Sequence, residues 1–443
     1  MYKNKIILHV IIFKNKKLIN NFIKNNLNLL DVLISLITLL VYTIGKFQLF
    51  DLIGVKKFLQ IILIVLILFF VLLFIFKNKM KWSIILTYIT IMLITNLFFF
   101  ISIEVVLELI LCLFVTYLVT NLSYLTLVKL LKTILNLTYL FSIVALLQFI
   151  FIIFFPNFIE NTQIALTDQK EWVYINDTSY GTKIIQIPLV AIFGFNTGET
   201  LNIFGIELSR MRSYLSEPSL IPLYFMFPVS ISMIIGLKYY LKYFIILTFC
   251  FLTFSGSFQF CLFYALIYFV LKRLFSNKFI LNYVPIIQFF IFYFILMFVG
   301  VQFFSNFDSQ ISQTDYSSFA KGNSLLVRFQ GLYESFIQII ISPFGSNFDR
   351  TLPFSIFTSS VLASGWFGTL ILFIFFKKLI YFLNSHLLKK TTPFITIGVS
   401  LFFGFFCMII IFNDYGLFNY SGFLLLSIFY SLLNKLSTYQ YND

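Results

Sequence analysis

Charge is what this chain has least of. Only 11% of its 443 residues are charged, where a soluble protein carries about a quarter. With 60% hydrophobic residues and a mean hydropathy of +0.97, an ordinary water-soluble domain is excluded. The composition predicts an all-α polytopic membrane protein forming a single domain over 1–443. Cysteine is scarce too. Cys112, Cys250, Cys261 and Cys407 all sit inside apolar runs and none has metal-ligand spacing, which argues against disulfides and metal clusters. Histidine is limited to His9 and His386. The first residues are too basic, and run too long before the first apolar stretch, for a cleaved signal peptide. Arginine is rarest relative to need: of 31 basic residues only Arg210, Arg212, Arg273, Arg328 and Arg350 are arginine.

What is abundant is apolar sequence in runs of membrane length. They fall at roughly 28–45, 58–76, 83–102, 104–122, 134–155, 219–237, 240–254, 258–271, 279–301, 356–376, 393–412 and 415–433. About 20 residues cross a bilayer, so about 12 transmembrane helices are expected, with both termini on one side. The net charge of +14 invites a nucleic-acid partner, but its placement argues against one. Lysines cluster between apolar runs, and alternate sides receive 21 and 10 basic residues. The richer side is cytoplasmic by the positive-inside rule. Two long loops, 156–218 and 302–355, then face outward on the same side. One hairpin is short: 243–271 must hold two crossings, broken at Thr253-Phe254-Ser255-Gly256-Ser257, or form a re-entrant pair. A single long helix there would put the later lysine clusters outside.

Four of the five arginines lie in the two outer loops. Lysine suffices as a point charge, whereas arginine's planar fork grips carboxylates and phosphates. The first loop ends Ser209-Arg210-Met211-Arg212-Ser213-Tyr214-Leu215-Ser216-Glu217-Pro218-Ser219. Alone, Glu217-Pro218 is only a good helix start. Two arginines within seven residues of the glutamate make it a candidate site. The second loop carries Arg328, then an apolar stretch 332–341, too short to cross and expected to lie on the membrane surface. Ile184–Phe195 is likewise too short to span. Glu104 and Glu108, at helical spacing, read more simply as a wet helix end than as an acid–base pair.

The pattern Arg-x-Arg-Ser-x-x-x-Glu-Pro-Ser before an apolar helix resembles the outer-loop signature of the Wzy-type O-antigen and oligosaccharide repeat-unit polymerases. The order of parts is also similar: several spans, a long outer loop, the Thr-x-Ser-Gly-Ser hairpin, then a second outer loop with Arg328 and a Pro343-Phe344-Gly345 turn. The chain departs from many relatives in having Phe258, not arginine, after Ser257. The resemblance implies a glycosyltransferase-C-like architecture at the bacterial inner membrane. It implies a metal-independent enzyme, without cofactor, that joins oligosaccharide repeat units carried on undecaprenyl diphosphate at the periplasmic face. Donor and acceptor lipids, membrane lipids and a chain-length regulator protein are the partners it implies. Arg212, Glu217 and Arg328 are then the catalytic candidates, and Arg210, Ser219, Tyr333, Gly345 and Arg350 the substrate-binding ones.

The residues suit that chemistry. A departing diphosphate gathers negative charge, and the outer loops contain no Asp-x-Asp motif, which leaves arginine to stabilise it. Glu217 can take the acceptor hydroxyl's proton or orient an arginine; both roles stay open. Two alternatives remain. An O-antigen ligase shares donor and fold, but relatives of that kind carry an outer histidine, and both histidines here are assigned to the cytoplasm. A lipid-linked oligosaccharide flippase needs polar residues along a central path, and the span centres here hold almost none.

Overall fold

The computed structural model describes residues 103–154, 195–203, 206–211, 221–253, 256–274, 392–412 and 420–439, with isolated helical positions at 90, 341, between 283 and 298, and between 365 and 383. The apolar runs before 102, most of the runs 279–301 and 356–376, and most of both long loops lie outside the described residues. The described body is helical, as expected. Its continuous helices are α1 (Ile103–Asn121), α2 (Tyr124–Phe154), α3 (Ile221–Ile234), α4 (Tyr240–Leu252), α5 (Gly256–Leu274), α6 (Pro393–Phe412) and α7 (Tyr420–Tyr439). To these the first loop adds an antiparallel hairpin, β1 (Phe195–Ile203) and β2 (Ile206–Met211), which the sequence reading did not include.

Local chemistry sets the helix limits. α1 ends where the Thr120 and Asn121 side chains both donate to the Tyr117 carbonyl, at 2.9 and 2.8 Å. Ser123 then caps α2, its Oγ accepting the Thr126 N–H at 3.2 Å. α2 therefore starts ten residues before the apolar run at 134, and its stretch Tyr124–Leu147 is apolar and long enough to cross a membrane. Lys129 and Lys132 ride on a helix and not in a loop, because an unbranched lysine continues a helix while its ammonium reaches water. α3 closes in a Schellman turn: Leu237 N–H donates to Ser232 O, Gly236 N–H to Met233 O, and Gly236 takes φ +85°. α4 and α5 are separate helices, with the break at 253–255. Two helices over 243–271, not one long one, is what the Ser-Gly break and the lysine placement led us to expect.

Helices α3 to α6 alternate in direction. Phe225 meets Phe249 (5.4 Å between centroids) while Ser232 meets Tyr243, so α3 and α4 are antiparallel. Phe227 meets Phe402, and the Gly398 backbone lies beside Ser230 and Met233, so α6 is antiparallel to α3. α5 returns from α4 through Phe251–Phe258 (4.9 Å) and lies along α6 through Tyr268–Phe403 (4.8 Å) and Phe258–Phe405 (5.9 Å). α7 lies against α1, α2 and α3. It joins the core by Phe429 on Phe402 (4.0 Å) and by a buried Ser427 Oγ donating to Thr116 Oγ1 at 2.9 Å.

Glycine makes these contacts possible. A Cβ on Gly398 would stand 2.7 Å from Met233 Cβ, and one on Gly404 would stand 2.9 Å from Ala265 Cβ and press on the Cys261 carbonyl. Small residues let helix backbones approach closely, and in lipid that packing replaces the hydrophobic drive.

This arrangement gives the bundle two chemically different ends. One end gathers the C-termini of α3 and α5 and the N-termini of α4 and α6, and carries Lys238, Lys242, Lys272 and Arg273. Tyr240 and Tyr243 pack on Phe394 there, at 5.2 and 5.9 Å. The other end holds the start of α3, the α4–α5 turn and the C-terminus of α6.

Candidate functional site

The Arg-x-Arg to Glu-Pro-Ser segment lies in the chain between β2 and α3. Since α3 runs towards the lysine end, the segment leads into the opposite end of the bundle, which carries no lysine among the described residues. β1 and β2 are in register at Ile203 with Ile206, Asn202 with Glu207, Leu201 with Leu208 and Thr200 with Ser209. The next pairing is Phe195 with Met211. Five steps along β1 therefore match two along β2, and Arg210 occupies the position opposite this irregular stretch. Such irregularities bend a strand and end regular pairing, and they recur beside functional sites. β2 also contacts α4, which ties the strand bearing Arg210 to the helical body.

Arg210 is the one candidate whose backbone is described. Arg212, Glu217, Ser219, Arg328, Tyr333, Gly345 and Arg350 lie outside the described residues, as does the apolar stretch 332–341 apart from its last residue. Glu104 and Glu108 fall in the first turns of α1, one helical turn apart, as their spacing predicted. Cys250 and Cys261 are buried free thiols in α4 and α5.

The hairpin had a signal that the sequence reading passed over. Thr200-Leu201-Asn202-Ile203 and Ile206-Glu207-Leu208-Ser209 alternate polar and apolar residues and flank the two-residue connection Phe204-Gly205. Period-two alternation around a glycine-containing pair is a hairpin pattern. Neither arm is apolar enough to stand out from the outer loop in so hydrophobic a chain.

Arg273 stands apart from the other four arginines. It sits in the last turn of α5 at the lysine end, with its guanidinium 5.3 Å from the Phe269 ring centroid. Beside it, burial lowers the Lys272 ammonium to about 8. Both belong to the end opposite the start of α3.

No protein-family model, no curated protein and no solved structure matches this chain.

Proposed function

We propose that this chain is a polytopic membrane glycosyltransferase that polymerises lipid-linked oligosaccharide repeat units at the outer face of the bacterial inner membrane. The observation that carries the reading is the Arg210-x-Arg212-Ser213 to Glu217-Pro218-Ser219 segment, which enters the bundle at the end opposite the lysine clusters. By the positive-inside rule the lysine end is cytoplasmic, so the segment faces outward. Membrane embedding is supported by large apolar side chains left uncovered along the helices, among them Leu147, Phe244, Phe263 and Leu266, each more than half exposed. In water such faces would need a partner; in a bilayer they meet acyl chains.

In this reading the outer arginines grip the diphosphate of the donor as its negative charge grows. The fork of Arg212 or Arg328 pairs two phosphate oxygens at once. The terminal hydroxyl of the acceptor unit attacks the anomeric carbon of the donor glycan. The bond to the diphosphate oxygen breaks, undecaprenyl diphosphate leaves, and the hydroxyl proton passes to a base for which Glu217 is the candidate.

The test is gel electrophoresis of surface polysaccharide from a deletion strain complemented with variants. Arg212→Ala and Arg328→Ala are expected to leave core bearing one repeat unit, with the protein still inserted. A normal ladder from both would sink the site assignment. Bare core from the deletion strain itself would instead indicate a ligase or a flippase.

A further inference from the structure

The lysine end holds a site that the transfer reaction does not use. Lys242, in the first turn of α4, is held in place and not left waving in solvent. Its ammonium donates to Asn136 Oδ1 of α2 at 2.6 Å. It also lies 4.9 Å from the Tyr239 ring centroid and 5.6 Å from that of Tyr139. An ammonium has three N–H donors; the asparagine takes one, and neither ring supplies a negative charge. Lys129 and Lys132 precede Asn136 on the same face of α2, at spacings of seven and four residues, and Lys238 is exposed at the start of the same turn.

Carboxylates are missing where they would be needed. The stretches 109–159, 218–307 and 351–413, which supply α2 to α6, contain no Asp or Glu. Of the 17 acidic residues, the charge count assigns only Asp31 and Asp443 to this side, against 21 basic ones. No carboxylate of α2 to α6 is therefore available to pair with Lys242.

We infer that the Lys242–Asn136–Tyr239 cluster docks the phosphate headgroup of an anionic phospholipid at the cytoplasmic face. The apolar surroundings select a lipid over a soluble phosphate. Leu140 follows Asn136 by one turn of α2, and Leu241 and Phe244 flank Lys242 on α4; all three are more than half exposed. They offer acyl-chain contact beside the headgroup site. The aromatic rings suit the headgroup level, where Tyr is enriched, and lysines near an anionic surface are drawn to it. The inference rests on the membrane reading and on the side assigned to the lysines, not on the transfer chemistry. Its test does not read glycan, so the two stand or fall separately.

The experiment uses the full chain in nanodiscs of phosphatidylcholine with graded fractions of phosphatidylglycerol, and reads the thermal unfolding midpoint. The wild type is expected to rise saturably with phosphatidylglycerol, and less so in high salt. Lys242→Gln is expected to match the wild type in pure phosphatidylcholine and to lose about half or more of the rise. Lys129→Gln with Lys132→Gln, the first exposed and the second half-buried on α2, is the second variant and should show a smaller loss. An equal rise in Lys242→Gln overturns the inference, as does no difference between the two lipids. If Lys242→Gln does not fold, an undiminished rise in the Lys129/Lys132 variant overturns it.

Discussion

Tyr243 holds the turn between α3 and α4 with one hydroxyl. Its O–H donates to the Leu237 carbonyl at 2.6 Å, and Ser232 Oγ lies 2.9 Å from the same oxygen and 2.8 Å from the Val229 carbonyl. The single serine proton serves one of these acceptors at a time. Tyr243→Phe keeps the ring on Phe394 but strips the Leu237 carbonyl of its donor, a loss of about 1–3 kcal/mol. A lowered unfolding midpoint in detergent, with Ser232→Ala milder, is the expected result. Next to it, Gly236 needs φ +85°, so Gly236→Ala strains the turn by about 1–2 kcal/mol even though a Cβ there has room. Lys272 gives a pH dependence. Burial lowers its folded-state value to about 8, below the 10.5 of the free side chain. Between these the unfolded chain binds the proton that the folded chain releases, so this residue's contribution to stability rises as pH climbs from 8 towards 10.5. Because the amine is partly exposed, solvent screening reduces the effect. Lys272→Gln should raise the midpoint at pH 7 by about 1–2 °C and flatten that slope in a neutral detergent.

Among the elements, α6 decides the packing. It has no charged residue from Pro393 to Phe412, and its neighbours α3 and α5 contact it at Gly398 and Gly404. Gly404→Leu would drive a side chain into Ala265 and the Cys261 carbonyl, and the backbone of α5 cannot yield as a flexible side chain would. Overpacking of this kind costs about 1–3 kcal/mol, and a monodispersity and unfolding series of Gly404→Ala and Gly404→Leu should show graded loss. Phe402→Ala removes the ring shared by Phe227, Phe403 and Phe429. If the bundle sits in lipid as proposed, the cost should fall below the roughly 3–5 kcal/mol of aqueous cores, because packing is lost there and not water exclusion.

For the whole molecule, the two-ended bundle makes topology the measurable property. Single cysteines introduced within 160–210 and 310–350 should react with an impermeant thiol reagent applied from outside, and cysteines at 238 or 273 should react only after the membrane is opened. Labelling of 160–210 from the cytoplasm would overturn both the orientation and the polymerase reading. The ladder gel and this labelling are independent, since a protein can be correctly inserted and still inactive.

Among the described residues, helix positions were largely legible because apolar runs and helices share the same cause. Long stretches without charge, such as 393–412, satisfy backbone groups internally and coincide with α6. The break at 253–255 was legible from Ser and Gly in an otherwise apolar run. The start of α2 was not, because lysine on a helix surface looks like a loop lysine when only charge is counted. The hairpin at 195–211 was hidden because its alternation is weak against so much hydrophobic background. The candidate arginines were legible by residue choice alone, as scarce planar cations in polar loops.

Composition and periodicity determined that the described body is helical, because long apolar runs without charge satisfy their backbone groups internally as helices, and they singled out arginine by its scarcity. Which helices touch and which way each runs, and with them the placing of the start of α3 opposite Lys238, Lys242 and Lys272 within one bundle, was decided by tertiary packing. That depends on glycine-scale fits between residues far apart in sequence, such as Gly404 against Cys261 or Lys242 against Asn136, which no local pattern records.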